Sequence, residues 1–345
     1  MSPPLRARLP LTGASHASRW AASARRQLFG IDESEVTFAK RAFARTNQSI
    51  VDRLEEVGLC FVGGYHFALE CAGPEALCKA LSRFDDVHRG FAYEGAGMAL
   101  ELLDRLTPGR GQRLAAFLAG PGDAHAYMVT IGAGWAWARL PLRVAHQLRH
   151  LDPVIGWLAL DGFGFHEGYF HTDASVRRCV IHRRVKGVTA HHVFDTGLGR
   201  SLWFVCGADV ERIAETISRF DPERRPDLWC GVGIACCYGG GAPDADIDRL
   251  RALAGRHRAA LAQGAAFAAK ARERADTPAD HTRNAVERIC RMPAELAAKL
   301  CDTALAEARE LAPSTPTSGP PTFEIWRSLI RKNFEPVVLS QEDRV

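Results

Sequence analysis

Residues 93–103 read YEGAGMALELL, and four later stretches repeat their outline: TIGAGWAWARL at 130–140, LDGFGFHEGYF at 160–170, DTGLGRSLWFV at 195–205 and WCGVGIACCYG at 229–239. Each is a Gly-x-Gly pair running into apolar or aromatic residues. The pairs begin at Gly95, Gly132, Gly162, Gly197 and Gly231, in steps of 37, 30, 35 and 34. Self-similarity near 34 residues is the signature of stacked helical hairpins, in which no unit buries its apolar face without a neighbour. The sequence therefore predicts an all-α fold, a TPR-like superhelix, with each glycine pair marking the start of a helix. Paired glycines, with a third small residue such as Ala99 or Ala136 nearby, remove side chains where that helix meets its neighbour and permit close approach. A phosphate loop is the competing use of such glycines. None of the five follows a β-branched strand with a complete G-x-G-x-x-G, and no G-x-x-x-x-G-K-[ST] occurs.

Working outward, Leu54, Val57, Phe61, Tyr65 and Leu69 follow the 3–4 spacing of one helix face, with Asn47 or Ser49 as its cap. Pro74 opens a second helix carrying Leu77, Leu81 and Phe84. Val210, Ile213, Ile217 and Phe220 share a face, as do Ile247, Leu250 and Leu253, whereas 173–194 reads as an extended segment as readily as a helix. Gln263–Gly264 begins a degenerate sixth unit, and 280–310 is helical in composition and period. The predicted organisation is a flexible basic arm over 1–31, a helical-repeat domain over 32–311, a Pro/Ser/Thr linker over 312–322, and a docking helix and tail over 323–345.

Composition narrows the function classes. A chain of 345 residues with 47% hydrophobic and 24% charged residues builds an ordinary core, and a net charge of +4 is too weak a bias to point to nucleic acid. The ten cysteines include no C-x-x-C pair, so zinc-ribbon and thioredoxin-type motifs are absent; they read as reduced, buried packing residues of a cytoplasmic protein. The longest uncharged stretch, Leu228 to Pro243, is too short and too glycine-rich to span a bilayer. The arginines before Asp32 read as an Ala/Arg-rich leader rather than an organellar transit segment.

The positions before and beside the glycine pairs carry the candidate chemistry. Glu94 and Asp161 precede their pairs directly and Asp195 stands two residues before Gly197. At helix starts, such carboxylates serve free N–H groups and the helix dipole; projecting together into a concave face, they could hold a metal or do acid/base work. Five of the 13 histidines lie at 166, 171, 182, 191 and 192. Glu167 and His171 are four apart on one helical face, and His192 stands three before Asp195, giving two imidazole–carboxylate pairs suited to acid/base catalysis or to a mixed metal site. His166 and His171, five apart, do not form the H-E-x-x-H arrangement, and no metal ligand set is assigned. Glu167, His171, His192 and Asp195 are thus the catalytic candidates. Arg200, in an apolar stretch, needs either a buried carboxylate such as Asp161 or Asp195 or an anionic ligand. Glu94, Asp161, His166 and Arg200, with the aromatics Trp135, Tyr169 and Trp203, are the candidate ligand-binding set, since aromatic walls suit flat conjugated molecules. The cofactor is left open.

The ordered motifs FAYEGAGMALELLDRLTP, YMVTIGAGWAWARLP, WLALDGFGFHEGYFH, FDTGLGRSLWFVCGADVERIAETI, DLWCGVGIACCYGGG and AALAQGAAFAAKARER, spread over residues 35–335, resemble a bacterial domain-of-unknown-function family labelled UnbL-type enediyne biosynthesis proteins. The resemblance implies a role beside the iterative polyketide synthase that builds an enediyne core. It carries no catalytic residues over. The resulting expectation is a secondary-metabolite biosynthesis protein that binds or processes a hydrophobic polyene- or polyketide-type intermediate, with other biosynthetic proteins as further partners. The alternative, from a different class, is a non-catalytic helical-repeat scaffold for protein–protein interaction. An exposed groove able to seat a peptide favours the scaffold; an enclosed pocket with convergent polar groups favours the binding protein or enzyme.

Overall fold

The computed structural model describes residues 16–106, 111–312 and 320–335, and every regular element among them is helical. The long helices are α1 (His16–Phe29), α2 (Gln48–Glu70), α3 (Asp86–Leu106), α4 (Ala126–Arg139), α5 (Leu158–Phe170), α6 (Val188–Val205), α7 (Arg225–Gly239), α8 (Arg258–Arg274), α9 (Ala294–Leu311) and α10 (Thr322–Lys332). From α2 to α9 each long helix packs on the next. Short segments join them, and the later ones, Val210–Ser218, Asp244–Leu253 and Asp280–Cys290, pack on one another as a second layer. Local sequence supports these boundaries: the Asn47 Oδ1 caps α2 by accepting from Ser49 N at 2.9 Å, and the Asp209 Oδ1 caps Val210–Ser218 by accepting from Glu211 N and Arg212 N.

The glycine pairs lie in the middle of α3 to α7, not at helix starts. Two residues on a helix are about 200° apart, so the members of a pair face opposite neighbours. A Cβ on the first glycine would lie 1.8–2.0 Å from a carbonyl oxygen of the preceding helix: Phe61 for Gly95, Glu94 for Gly132, Ile131 for Gly162, Asp161 for Gly197 and Thr196 for Gly231. A Cβ on the second would lie 1.7–2.2 Å from a carbonyl of the following helix, on Val129, Ala159, Phe194, Leu228 and Leu261 in turn. The ends of the series are half-pairs. Gly64 in α2 meets the helix ahead, at Ala92 O, and Gly264 in α8 meets the helix behind, at Cys230 O. Each pair thus places one helix in backbone contact with two others, where the sequence suggested contact with one.

The array curls on itself. Arg272 of α8 donates to Asp86 O and Val87 O at the start of α3 and to Tyr238 O near the end of α7, and Ala44 N donates to Val205 O at the end of α6. The inner side of the curl is therefore closed by side chains from most of the long helices. Residues 16–29, which the sequence placed in a loose arm, form α1; Arg25 Nε donates to Leu69 O and the Tyr65 hydroxyl to Phe29 O, which fastens it to α2. Residues 173–194 contain no strand: a π-helical turn at Asp173–Arg177 and an irregular stretch lead into α6. The proposed linker over 312–322 and the basic arm over 1–31 lie partly outside the described residues. On its far side α10 packs against α8 and α9, with the fully buried Trp326 donating to Cys301 O and the buried Arg327 paired with Asp227.

Candidate functional site

The inner side of the curl encloses two adjoining spaces. The larger is walled by Phe61, Trp135, Phe165, Tyr169, Phe204 and Tyr238 among others. The aromatic rings touch in sequence: Phe61 to Trp135 at 4.4 Å, Trp135 to Phe165 at 5.1 Å, and Phe165 stacked on Tyr169 at 5.7 Å between centroids. The second space lies towards α10 and is bounded by Tyr127, Phe267, Phe323 and Trp326. Arg200, Ile234 and Tyr238 line both, so they form the partition.

A buried charge cluster is built into that partition. Arg200 Nε and Nη2 each lie 2.7 Å from the Asp161 carboxylate, Nη2 lies 3.5 Å from Glu94 Oε1, and the guanidinium sits over the Phe165 ring at 4.9 Å. Trp135 Nε1 donates to Glu94 Oε1 at 3.0 Å. Glu94 stands mid-helix, far from any free N–H, and needs a cation or a donor, whereas Asp161 lies in the first turn of α5, as the sequence suggested, and is paired with Arg200 as well. One guanidinium cannot neutralise two buried carboxylates. Burial pushes both carboxyls upward against the pull of Arg200, and Glu94, the more distant of the two, is pushed further the same way by Asp161. The Tyr238 hydroxyl is buried at the same partition with no hydrogen-bond partner among the described residues, and the Arg272 guanidinium lies 3.9 Å above its ring. Arg200 is satisfied internally. The cation left to meet a ligand is Arg139, which lines the larger cavity and pairs with no carboxylate among the described residues.

A second cluster lies at the end of α5. His166 lines the larger cavity; its Nδ1 is 3.3 Å from Glu167 Oε1, and His171 Nδ1 reaches the same oxygen from the other side at 3.2 Å. His171 is the C-cap residue of α5, with φ −117° and ψ 41°. Glu167 and His171 share one face of α5, and with His166 beside Glu167 the three side chains converge where the helix ends. Burial pushes the Glu167 carboxyl up, but His166, His171 and His182 outweigh it and hold it below the usual range. Burial lowers the His166 imidazole despite Glu167.

The remaining candidates serve the framework. Asp195 is held by Arg224 through two hydrogen bonds of 2.8 and 2.6 Å, not by a histidine. His192 pairs with Glu324 of α10 at 3.2 Å, and neither residue lines the two cavities. Of the two imidazole–carboxylate pairs read from sequence, Glu167–His171 forms and His192–Asp195 does not. Trp203 is fully buried, donates to Gly240 O at 2.9 Å and stands in the core rather than in the cavity wall. Tyr169 does line the cavity, its hydroxyl donating to Val36 O. Phe61, Tyr238 and Arg139 complete the site. Arg139 and Tyr238 stand in the Gly-x-Gly stretches at 130–140 and 229–239, whereas Phe61, on the apolar face of α2, has no motif that signals it.

The profile of a family described as a protein of unknown function (DUF1702) matches residues 20–334, which is nearly the whole described chain. The chain belongs to this family. No curated protein and no solved structure matches it. Among the described residues of this DUF1702 member, no helix is long and apolar enough to cross a membrane.

Proposed function

We propose that this DUF1702 protein binds and processes a hydrophobic, extended polyene- or polyketide-type intermediate of secondary metabolism, the role implied by the resemblance to enediyne-biosynthesis proteins. The observation that carries the reading is the aromatic cavity with its few convergent polar groups: Arg139, Glu94 and the Tyr238 hydroxyl. Flat conjugated chains fit aromatic walls, and an amphiphilic polyene with one acidic end matches an apolar chamber bordered by one uncommitted guanidinium, that of the exposed Arg139. A scaffold calls for an open concave groove; here Phe61, Trp135 and Phe165 occupy the inner side of the curl. Glu94 is the group placed for proton transfer to the bound chain.

The test is titration of the purified protein with a conjugated polyenoic acid and its methyl ester, followed by quenching of tryptophan fluorescence. The acid is expected to saturate at one equivalent and to bind at least about tenfold more tightly than the ester, as a charge-assisted contact implies. Arg139→Gln removes that difference, and Ile234→Trp, which fills the partition, weakens both ligands. Absence of saturable binding, or an Ile234→Trp protein that binds both as before, refutes the proposal.

A further inference from the structure

We propose that His166, Glu167 and His171 form a divalent transition-metal site of the two-imidazole, one-carboxylate type, suited to zinc, at the mouth of the larger cavity. Candidate ligand atoms of the three residues all lie within 4.8 Å of one another. The two imidazole Nδ1 atoms stand 3.3 and 3.2 Å from one carboxylate oxygen. Tetrahedral zinc with bonds of about 2.0–2.1 Å separates its ligands by about 3.3 Å, so each imidazole already stands at coordination distance from the carboxylate, and the two imidazoles are within 4.8 Å of each other. The donor set is chemically apt: borderline nitrogen ligands with one hard oxygen select zinc and its neighbours over magnesium or calcium.

Competing cations are engaged elsewhere. Arg184, whose guanidinium is coupled electrostatically to Glu167, donates to the carbonyls of Trp137, Ala138 and Leu140 at the end of α4. Glu167 accordingly has imidazoles, not a guanidinium, as its partners. The site also has an inner and an outer side. His166 is buried and faces the cavity, whereas the His171 side chain is 56% exposed, which gives the ion an entry path. Three protein ligands leave one coordination position for water or a ligand group, the pattern of a reactive rather than a purely structural zinc site. The inference does not depend on what the cavity holds, because the test reads the metal directly.

The experiment titrates the untagged, full-length, reduced protein with Co(II) as a spectroscopic substitute and with Zn(II) by calorimetry, beside His171→Asn and His150→Asn. The second variant disrupts the exposed His146–His150 contact, at 3.2 Å the obvious adventitious competitor. The expected result is one equivalent of Co(II) with weak tetrahedral ligand-field bands and no thiolate charge-transfer band. His171→Asn should weaken binding by at least about tenfold while leaving the circular dichroism unchanged, since an exposed side chain carries little of the fold. His150→Asn should bind as the parent does. Absence of binding, a thiolate signature, equal binding by His171→Asn, or loss only in His150→Asn overturns the proposal.

Discussion

Gly132→Ala isolates the packing principle of the fold, because a single methyl group is added at a contact with no slack. An ideal Cβ on Gly132 lies 1.9 Å from Glu94 O and 2.9 Å from Met98 N, whereas ordinary contact begins near 3.4 Å. The backbones of α3 and α4 would have to part by about 1.5 Å to admit it. A gap of about 0.5–1 Å already forfeits a quarter to a half of the dispersion energy of the atoms concerned. Separation is also opposed on the other face, where Gly134 holds α4 against Ala159 of α5. Overpacking commonly costs about 1–3 kcal/mol, and a backbone-to-backbone clash with no rotamer to yield belongs at or beyond the top of that range. Helix propensity acts in the opposite sense, favouring alanine by about 0.5–1 kcal/mol. A net loss of about 3 kcal/mol is therefore expected. With an unfolding entropy near 0.7 kcal/mol per kelvin for a 345-residue chain, this lowers Tm by about 4 °C. Gly239→Ala is the internal control. It is helical, a Cβ there meets nothing within 4 Å, and the substitution should be neutral or stabilising by up to about 1 kcal/mol. Urea midpoints and calorimetric scans of both variants decide the matter: a Gly132→Ala protein as stable as Gly239→Ala would refute the close-contact account.

Two further outcomes are expected. Arg200→Met strands Asp161 and Glu94 in the partition and should cost on the order of 3–5 kcal/mol, of which Asp161→Asn with Glu94→Gln in the same chain restores at least half; no recovery in urea denaturation would show that the guanidinium acts by other contacts. Acid sensitivity should come partly from His125 and His281, whose imidazoles are lowered to about 4 mainly by burial, from an unperturbed 6.5. Because the unfolded chain takes up these protons first, their contribution to stability is intact above about pH 6.5, declines as pH falls towards 4, and is lost below it. Urea midpoints measured across that interval should fall less steeply in a His125→Phe protein, which keeps the stack on Tyr93, and an unchanged slope would exclude His125 as a source.

The cysteines illustrate how far composition reaches. All ten are free, six are buried, and burial raises the Cys60 and Cys230 thiols to about 12, in keeping with their reading as inert packing residues. The functional candidates fared unevenly for a physical reason. Glu167 and His171 are neighbours on one helix, so their meeting is a local property legible in the spacing, completed by the break at the helix end. Pairing His192 with Asp195 failed because each found a stronger partner from elsewhere, Glu324 and Arg224, which no spacing along α6 reveals.

The sequence by itself determined that this chain is helical, that its helices stack through recurring glycine pairs, and that acidic, imidazole and aromatic groups gather near those pairs. These are consequences of local chemistry, since a missing side chain and an apolar period act within one or two turns. Only the tertiary structure decided that the two glycines of a pair serve different neighbours, that Arg200 answers Asp161 and Glu94 together, and that Phe61, Trp135, Phe165, Tyr169 and Tyr238 enclose one chamber. Those residues come from α2, α4, α5 and α7, and their meeting depends on how tightly the array curls. That curvature is set by every helix contact at once, and no single stretch of sequence carries it.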